Sequence, residues 1–169
     1  VWVDRSGKII GTIGQPQKEI GSPAISHDGR RIAVTATFED NTDVWIIDVD
    51  RDTMLRLTTD AAWDGLPQWS PTGEEIAFSS ARSGIGDIFL RRADGSGVAQ
   101  PLVTGPKSEG VYHWSRSANT LVYVVQDIGN DGGDIWYKLI DKDRPQGTVV
   151  KTPSTEFPGS ISPDGKYIV

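Results

Sequence analysis

The chain has 169 residues and no cysteine, which excludes a disulfide framework, a thiolate zinc cluster and a thiol nucleophile, and leaves the redox compartment open. Histidine is scarce, with only His27 and His113, so neither a catalytic triad nor a zinc site is expected. Apolar runs stop after a few residues, far short of the roughly 20 that cross a bilayer as a helix. No basic-plus-apolar leader opens the sequence at Val1, and direct membrane insertion is not expected. Positive charge is also short: 17 Lys and Arg against 23 Asp and Glu give a net charge of −6 and a pI near 4.8. Nucleic acid and anionic lipid are therefore poor partners, and a basic partner is easier to hold.

Turn formers are abundant, with 19 Gly and 10 Pro, and their scatter argues against a linker or low-complexity tract. They punctuate a repeat. Ile25-Ser26-His27-Asp28-Gly29, Trp69-Ser70-Pro71-Thr72-Gly73, Trp114-Ser115-Arg116-Ser117-Ala118 and Ile161-Ser162-Pro163-Asp164-Gly165 place serines at 26, 70, 115 and 162, spaced by 44, 45 and 47 residues. A second marker keeps the beat in Asp43-Val44-Trp45, Asp87-Ile88-Phe89 and Asp134-Ile135-Trp136. A third closes each unit in Leu57-Thr58, Val103-Thr104 and Lys151-Thr152. Apolar alternation has period two, so the segments between turns read as strands, and a period of about 45 residues with strands predicts propeller blades.

In the second repeat, strands are predicted around Leu66–Trp69, Glu75–Ser79 and Asp87–Arg91, with a fourth ending at Val103-Thr104. Ser70-Pro71-Thr72-Gly73 is the first turn: proline presets φ and glycine supplies a positive φ. In the third repeat Asn119 is expected to take the left-handed role one residue later, with a looser turn. The fold class is therefore all-β: a β-propeller of four-stranded antiparallel blades, three complete (20–59, 64–105, 109–152) and two complementary half-blades (1–14 and 156–169) in one region, 1–169. Three arrangements suit such halves: a self-closed four-bladed ring, a homodimer sharing one larger ring, or a piece of a longer propeller, the last being the first expectation. Native mass with protease protection of residues 1–13 separates them: a protected monomer, a protected dimer or an unprotected end, respectively.

The Trp-Ser-Pro-Asp-Gly-type turn, the Asp-Ile-Trp-type third strand and the Leu-Thr ending resemble the repeats of TolB-like β-propellers along essentially the whole chain. More narrowly, Val1–Lys8, Ser26–Val34 and Arg56-Leu57-Thr58 resemble propeller regions found behind bacterial serine/threonine kinase domains. This resemblance implies a ring of six or more blades serving as a sensor or protein-binding scaffold, often periplasmic or otherwise outside the cytoplasm. An alternative it implies is an accessory region of a larger enzyme, a kinase or a prolyl-oligopeptidase-type peptidase, whose catalytic domain lies elsewhere. The chain shows no Gly-x-Ser-x-Gly elbow, kinase motif, sialidase box or Trp-Asp repeat ending, so no catalysis is expected of it.

Six residues before the repeat serines stand Ile20, Asp64, Glu109 and Glu156, with Glu19 beside Ile20. Blade geometry predicts that these positions enter the innermost strands near one mouth of the channel, where carboxylates would focus negative potential. A basic peptide, an amine or calcium suits such a mouth, although acidic loops that are merely solvated are the commoner case; no cofactor is otherwise expected. Trp63, Leu66, Tyr112 and Phe157 are candidates for an aromatic and aliphatic rim, or for wedges between blades. His113, before Trp114 on an inner strand, could line the channel. Asp127–Gly132 only partly resembles a calcium loop, because Lys138 stands where that pattern needs glutamate.

Overall fold

A computed structural model describes residues 1–15, 18–127, 132–140, 146–152, 154, 156 and 160–168. Why the repeats become blades starts with their serine. In the second repeat Gly73 N–H donates to the Ser70 carbonyl at 2.9 Å, and Gly73 holds φ at 72°, the left-handed conformation glycine adopts without a Cβ clash. The Ser70 hydroxyl accepts from the Glu75 amide at 3.1 Å, which ties the outgoing strand to the turn. The first and last repeats copy this, with Gly29 to Ser26 at 2.9 Å and Gly165 to Ser162 at 2.8 Å. In the third, Asn119 takes the left-handed conformation (φ 44°) as expected. There the Ser115 hydroxyl accepts from the Ala118 amide, three residues on, at 3.3 Å, whereas in the first two repeats the serine hydroxyl accepts from the amide five residues on, at 2.9 and 3.1 Å.

These turns and the hairpins after them give fourteen strands among the described residues. Blade 1 holds β3 (Lys18–Ile25), β4 (Arg31–Phe38), β5 (Asn41–Asp48) and β6 (Thr53–Arg56). Blade 2 holds β7 (Asp64–Trp69), β8 (Glu75–Ser80), β9 (Asp87–Arg92) and β10 (Gln100–Val103). Blade 3 holds β11 (Ser108–Ser115), β12 (Thr120–Gln126), β13 (Gly133–Leu139) and β14 (Gln146–Val150). Each is a four-stranded antiparallel meander in chain order. A two-stranded pair, β1 (Trp2–Val3) with β2 (Ile9–Gly11), precedes them, and an isolated Ile161↔Ile168 bridge follows. The result is an all-β propeller assembly of three complete blades with partial units at either side. No described helix is long and apolar enough to cross a membrane.

Successive side chains of a strand point to opposite faces, so each blade presents one apolar face to each neighbour. Ala33, Val44, Ile46 and Leu57 of blade 1 pack on Trp69, Ile76 and Phe78 of blade 2. Ala77, Ile88 and Val103 of blade 2 pack on Val111, Trp114, Leu121 and Tyr123 of blade 3. The outer faces follow suit: Ile32, Val34 and Ile47 meet Trp2 and Ile13, and Val122 and Ile135 meet Ile161. Trp69 and Trp114 are fully core residues, whereas Trp45, Phe89 and Trp136, which repeat logic also places in the core, are only partly buried against it.

Polar contacts fix how the faces meet. Thr35 of β4 accepts from the Leu66 amide at 3.0 Å, and its repeat counterpart Ser79 accepts from the Val111 amide at 2.9 Å. Both donors lie where the inner strand is irregular: the β7 register breaks between Gly65 and Gln68, and the β11 register between Val111 and His113. The break frees an N–H to cross the seam. Leu66 is left-handed there (φ 53°). The Trp69 indole N–H reaches the Ala24 carbonyl at 2.9 Å, joining blade 2 to blade 1 by a ring that is also core. Trp69→Ala is expected to cost about 3–5 kcal/mol of stability, as large-to-small core changes do, measured by denaturant unfolding; an unchanged midpoint would show that this seam does not bear the load assigned to it.

Candidate functional site

Asp64 and Glu109, at or next to the start of β7 and β11, lie at the end of those strands opposite the serine turns, and each shares its seam with the marker aspartate of the preceding blade's third strand, Asp43 or Asp87. At the first seam this pair is Asp43 with Asp64, both completely buried. Burial alone would force such carboxyls towards the neutral form, and here two arginines oppose it. Arg56 donates to Asp43 from Nε at 2.9 Å, and Arg82 donates to both Asp64 oxygens at 2.9 and 3.1 Å. Thr58 donates to Asp43 Oδ1 at 2.9 Å. Burial still holds the Asp64 carboxyl above its ordinary value, while hydrogen bonds from Ser80, Arg82 and Thr58 pull it down. Arg82 also lies 4.5 Å from the Phe89 ring centroid, so its guanidinium is held on a face as well as by its bonds.

The second seam carries Asp87 and Glu109, 4% and 5% exposed, without that compensation. Ser83 donates its hydroxyl to Asp87 Oδ2, yet Asp87 Oδ1 and Glu109 Oε2 are buried with no hydrogen-bond partner in the protein. Burial first, and then the charge of Asp87 and a hydrogen bond with it, push the Glu109 carboxyl up to about 7. Glu109 is packed by small neighbours: a Cβ on Gly105 would come within 2.6 Å of Glu109 Oε1, and the Glu109 amide donates to the Gly86 carbonyl at 2.6 Å.

A cleft of about 260 Å³ opens at this seam, lined by Trp63, Leu66, Gly86, Glu109, Val111 and Tyr112 among others. Its buried members make the floor, and its rim is exposed: Trp63 42%, Tyr112 39% and Leu66 36%. The structure thus brings Trp63, Leu66, Glu109 and Tyr112 together. Asp64 lies in its ion pair one seam away, and Glu19 is exposed, with one oxygen accepting from the Thr37 hydroxyl at 3.3 Å. Glu156 accepts from Thr152 and keeps a buried Oε2 without a partner. His113 lines a different depression of about 500 Å³, with His27, Arg116 and Ile161, at the serine-turn end; burial and then the nearby His27 lower its pKa. Phe157 and most of the Asp127–Gly132 segment lie outside the described residues. Among the described residues, no three His, Cys, Asp or Glu side chains gather to hold a metal ion. Sequence reasoning did not single out Asp87, Arg56 or Arg82; the aspartate of the third-strand marker was the available signal.

The chain belongs to the TolB β-propeller family: the model of the TolB beta propeller domain matches residues 5–169. Among curated relatives, the Tol-Pal system protein TolB of Alcanivorax borkumensis is 31% identical over 85 residues, 49% of this chain and 19% of that protein. An uncharacterized protein of Agrobacterium fabrum is 29% identical over 102 residues, 60% of this chain and 34% of that protein. The chain therefore spans about a third or less of the curated relatives it matches. The crystal structure of TolB from Acinetobacter baumannii superposes with a TM-score of 0.74 at 22% identity, over 88% of this chain and 36% of that one.

Glu109 makes stability depend on pH. Its folded pKa of about 7 lies above the ordinary 4.5, so between those values the folded protein holds a proton that the unfolded chain has released. Stability from this group is then greatest below about pH 4.5 and falls as pH rises to about 7. Glu109→Gln is expected to raise the melting temperature at pH 8 and to change it much less at pH 5; equal shifts at both pH values would contradict the assignment.

Proposed function

We propose that this chain is a non-catalytic binding scaffold that holds a protein or peptide segment, basic in character, at the acidic entry end of its blades. The observation that carries this reading is the cleft at the second seam, where exposed Trp63, Leu66 and Tyr112 surround buried Glu109. Aromatic anchors beside a polar group of fixed position are how protein interfaces obtain both affinity and orientation. The sheets beneath are hydrogen-bonded across the seam through Ser79 and Val111, which holds the two blades in register under the cleft. Glu19 and Glu156 add to the negative potential of that end and favour encounter with a cationic partner. Calcium is the competing ligand.

A propeller fold does not itself confer an activity, and the same surface would serve whether the chain acts alone or as an accessory region of a larger enzyme. A setting outside the cytoplasm is part of the proposal, supported by membership of the TolB propeller family.

Amide chemical-shift mapping with a lysine- and arginine-containing peptide, an acidic peptide and calcium tests it. The basic peptide is expected to move the amides of 63–66 and 108–112, and Trp63→Ala with Tyr112→Ala to weaken that binding by about tenfold or more, as loss of an interface anchor does. Silence from the basic peptide, or shifts confined to the turns around His27 and Arg116, would refute the proposal; a response to calcium alone would favour the ion.

A further inference from the structure

The repeats serve as controls for one another. At the first seam the Asp43 and Asp64 carboxylates are matched by two guanidinium groups, from Arg56 and Arg82. Arg56 sits on β6 across from Trp45; on β10 Pro101 lies across from Phe89, and Leu102 precedes Val103-Thr104 as Arg56 precedes Leu57-Thr58, so neither counterpart is a cation. Arg82 follows Ser80 by two residues, beyond β8; forty-five residues on, beyond β12, stands Asp127, which is occupied with Lys107 at 2.7 Å. Both arginines are thus replaced at the second seam while both acids are kept, as Asp87 and Glu109.

Two buried carboxyl oxygens, Asp87 Oδ1 and Glu109 Oε2, are left without a partner in the protein. Leaving such groups unpaired costs more than any ordinary hydrogen bond returns. At the first seam the chain supplies cations from within. At the second, the exposed rim of Trp63, Leu66 and Tyr112 leads from solvent to Glu109.

We propose that this cleft receives the guanidinium of an arginine side chain from the bound partner, which takes at the second seam the place that Arg56 and Arg82 take at the first. Guanidinium suits the site better than a point charge, because its planar fork can grip the Glu109 carboxylate with two parallel hydrogen bonds. Its faces can stack on the rings of Trp63 and Tyr112, as Arg82 lies over Phe89 at 4.5 Å and Arg31 over Trp69 at 4.5 Å. The groups that face Glu109 are Asp87 and the Tyr123 hydroxyl, itself pushed up to about 12 by burial and by the charge of Glu109; the nearby cation Lys107 is engaged by Asp127. A guanidinium beside Glu109 favours its charged form and so opposes the upward push of burial on that carboxyl. This inference rests on the scaffold reading and specifies its ligand chemistry.

The test compares the peptide acetyl-Gly-Arg-Gly-amide with its citrulline counterpart, which keeps the shape and loses the charge, at pH 8. The arginine peptide is expected to shift the Gly86 and Gly110 amides and to bind at least about tenfold more tightly than citrulline, the scale of one charge-assisted hydrogen bond. In the unmutated protein, the Glu109 side-chain carbon, followed by NMR, is expected to titrate at lower pH when the arginine peptide is present. Pro101→Arg, which places an arginine across from Phe89 as Arg56 lies across from Trp45, is expected to raise the melting temperature and abolish the preference for arginine. Equal binding of the two peptides in the cleft would overturn the guanidinium assignment and leave the scaffold reading standing. A Glu109 titration unmoved by the arginine peptide would overturn the assignment too, and so would a lysine counterpart that binds as tightly.

Discussion

A four-stranded sheet has two faces, and here both are apolar, so each blade must be covered by a neighbour on either side. Everything else in the structure answers to that demand. Ala33 and Ile32 are adjacent in sequence, yet one packs towards blade 2 and the other towards Trp2 and Ile13. Burial of apolar area drives the association without dictating its angle. The angle comes from directional contacts that repeat with the blades: a hydroxyl on the second strand, Thr35 or Ser79, accepts an amide of the next blade's irregular first strand.

Closing blades face to face has an electrostatic consequence. The third-strand marker begins with aspartate, and the first strands of blades 2 and 3 carry another acid at or next to their start, so the two seams between complete blades each bury two carboxyls. Like charges in a poorly hydrated seam cannot both stay ionised unless cations are brought in or a proton is retained. The first seam brings in arginines, and at the second burial and the neighbouring Asp87 push the Glu109 carboxyl up to about 7. One gives a sealed ion-pair network beneath Trp45 and Phe89; the other gives a cleft whose charge state responds near neutral pH. Repeats related by internal similarity have thus diverged where a partner could reach them.

The turns were legible because their chemistry is local: serine, proline or aspartate and glycine within five residues suffice to set φ and close the hydrogen bonds. The role of Asn119 was legible for the same reason. The aromatic residues were less so. Trp69 and Trp45 each occupy a fixed place in their repeats, but Trp69, on an inner strand, is buried in the core between blades 1 and 2, whereas Trp45, on a third strand, is only partly buried. The acids six residues before each serine carried a regular signal of position and none of partnership. Asp64 and Glu109 look alike along the chain, and differ only because Arg82 reaches one and Asp127 stands in the arginine's place for the other.

From its sequence alone, this protein is a stack of four-stranded blades of a TolB-like propeller, because period, alternation and turn residues are each properties of short segments and agree with one another. What tertiary structure decided is which charges are met. Ion pairing depends on side chains 13 and 18 residues apart, as in Arg56 with Asp43 and Arg82 with Asp64, and on acids brought face to face across a seam, as Asp87 and Glu109 are. Those distances are set by blade packing rather than by spacing along the chain. The cleft bounded by Trp63, Leu66, Glu109 and Tyr112 exists only once two blades have docked, and so it could be read only from the folded molecule.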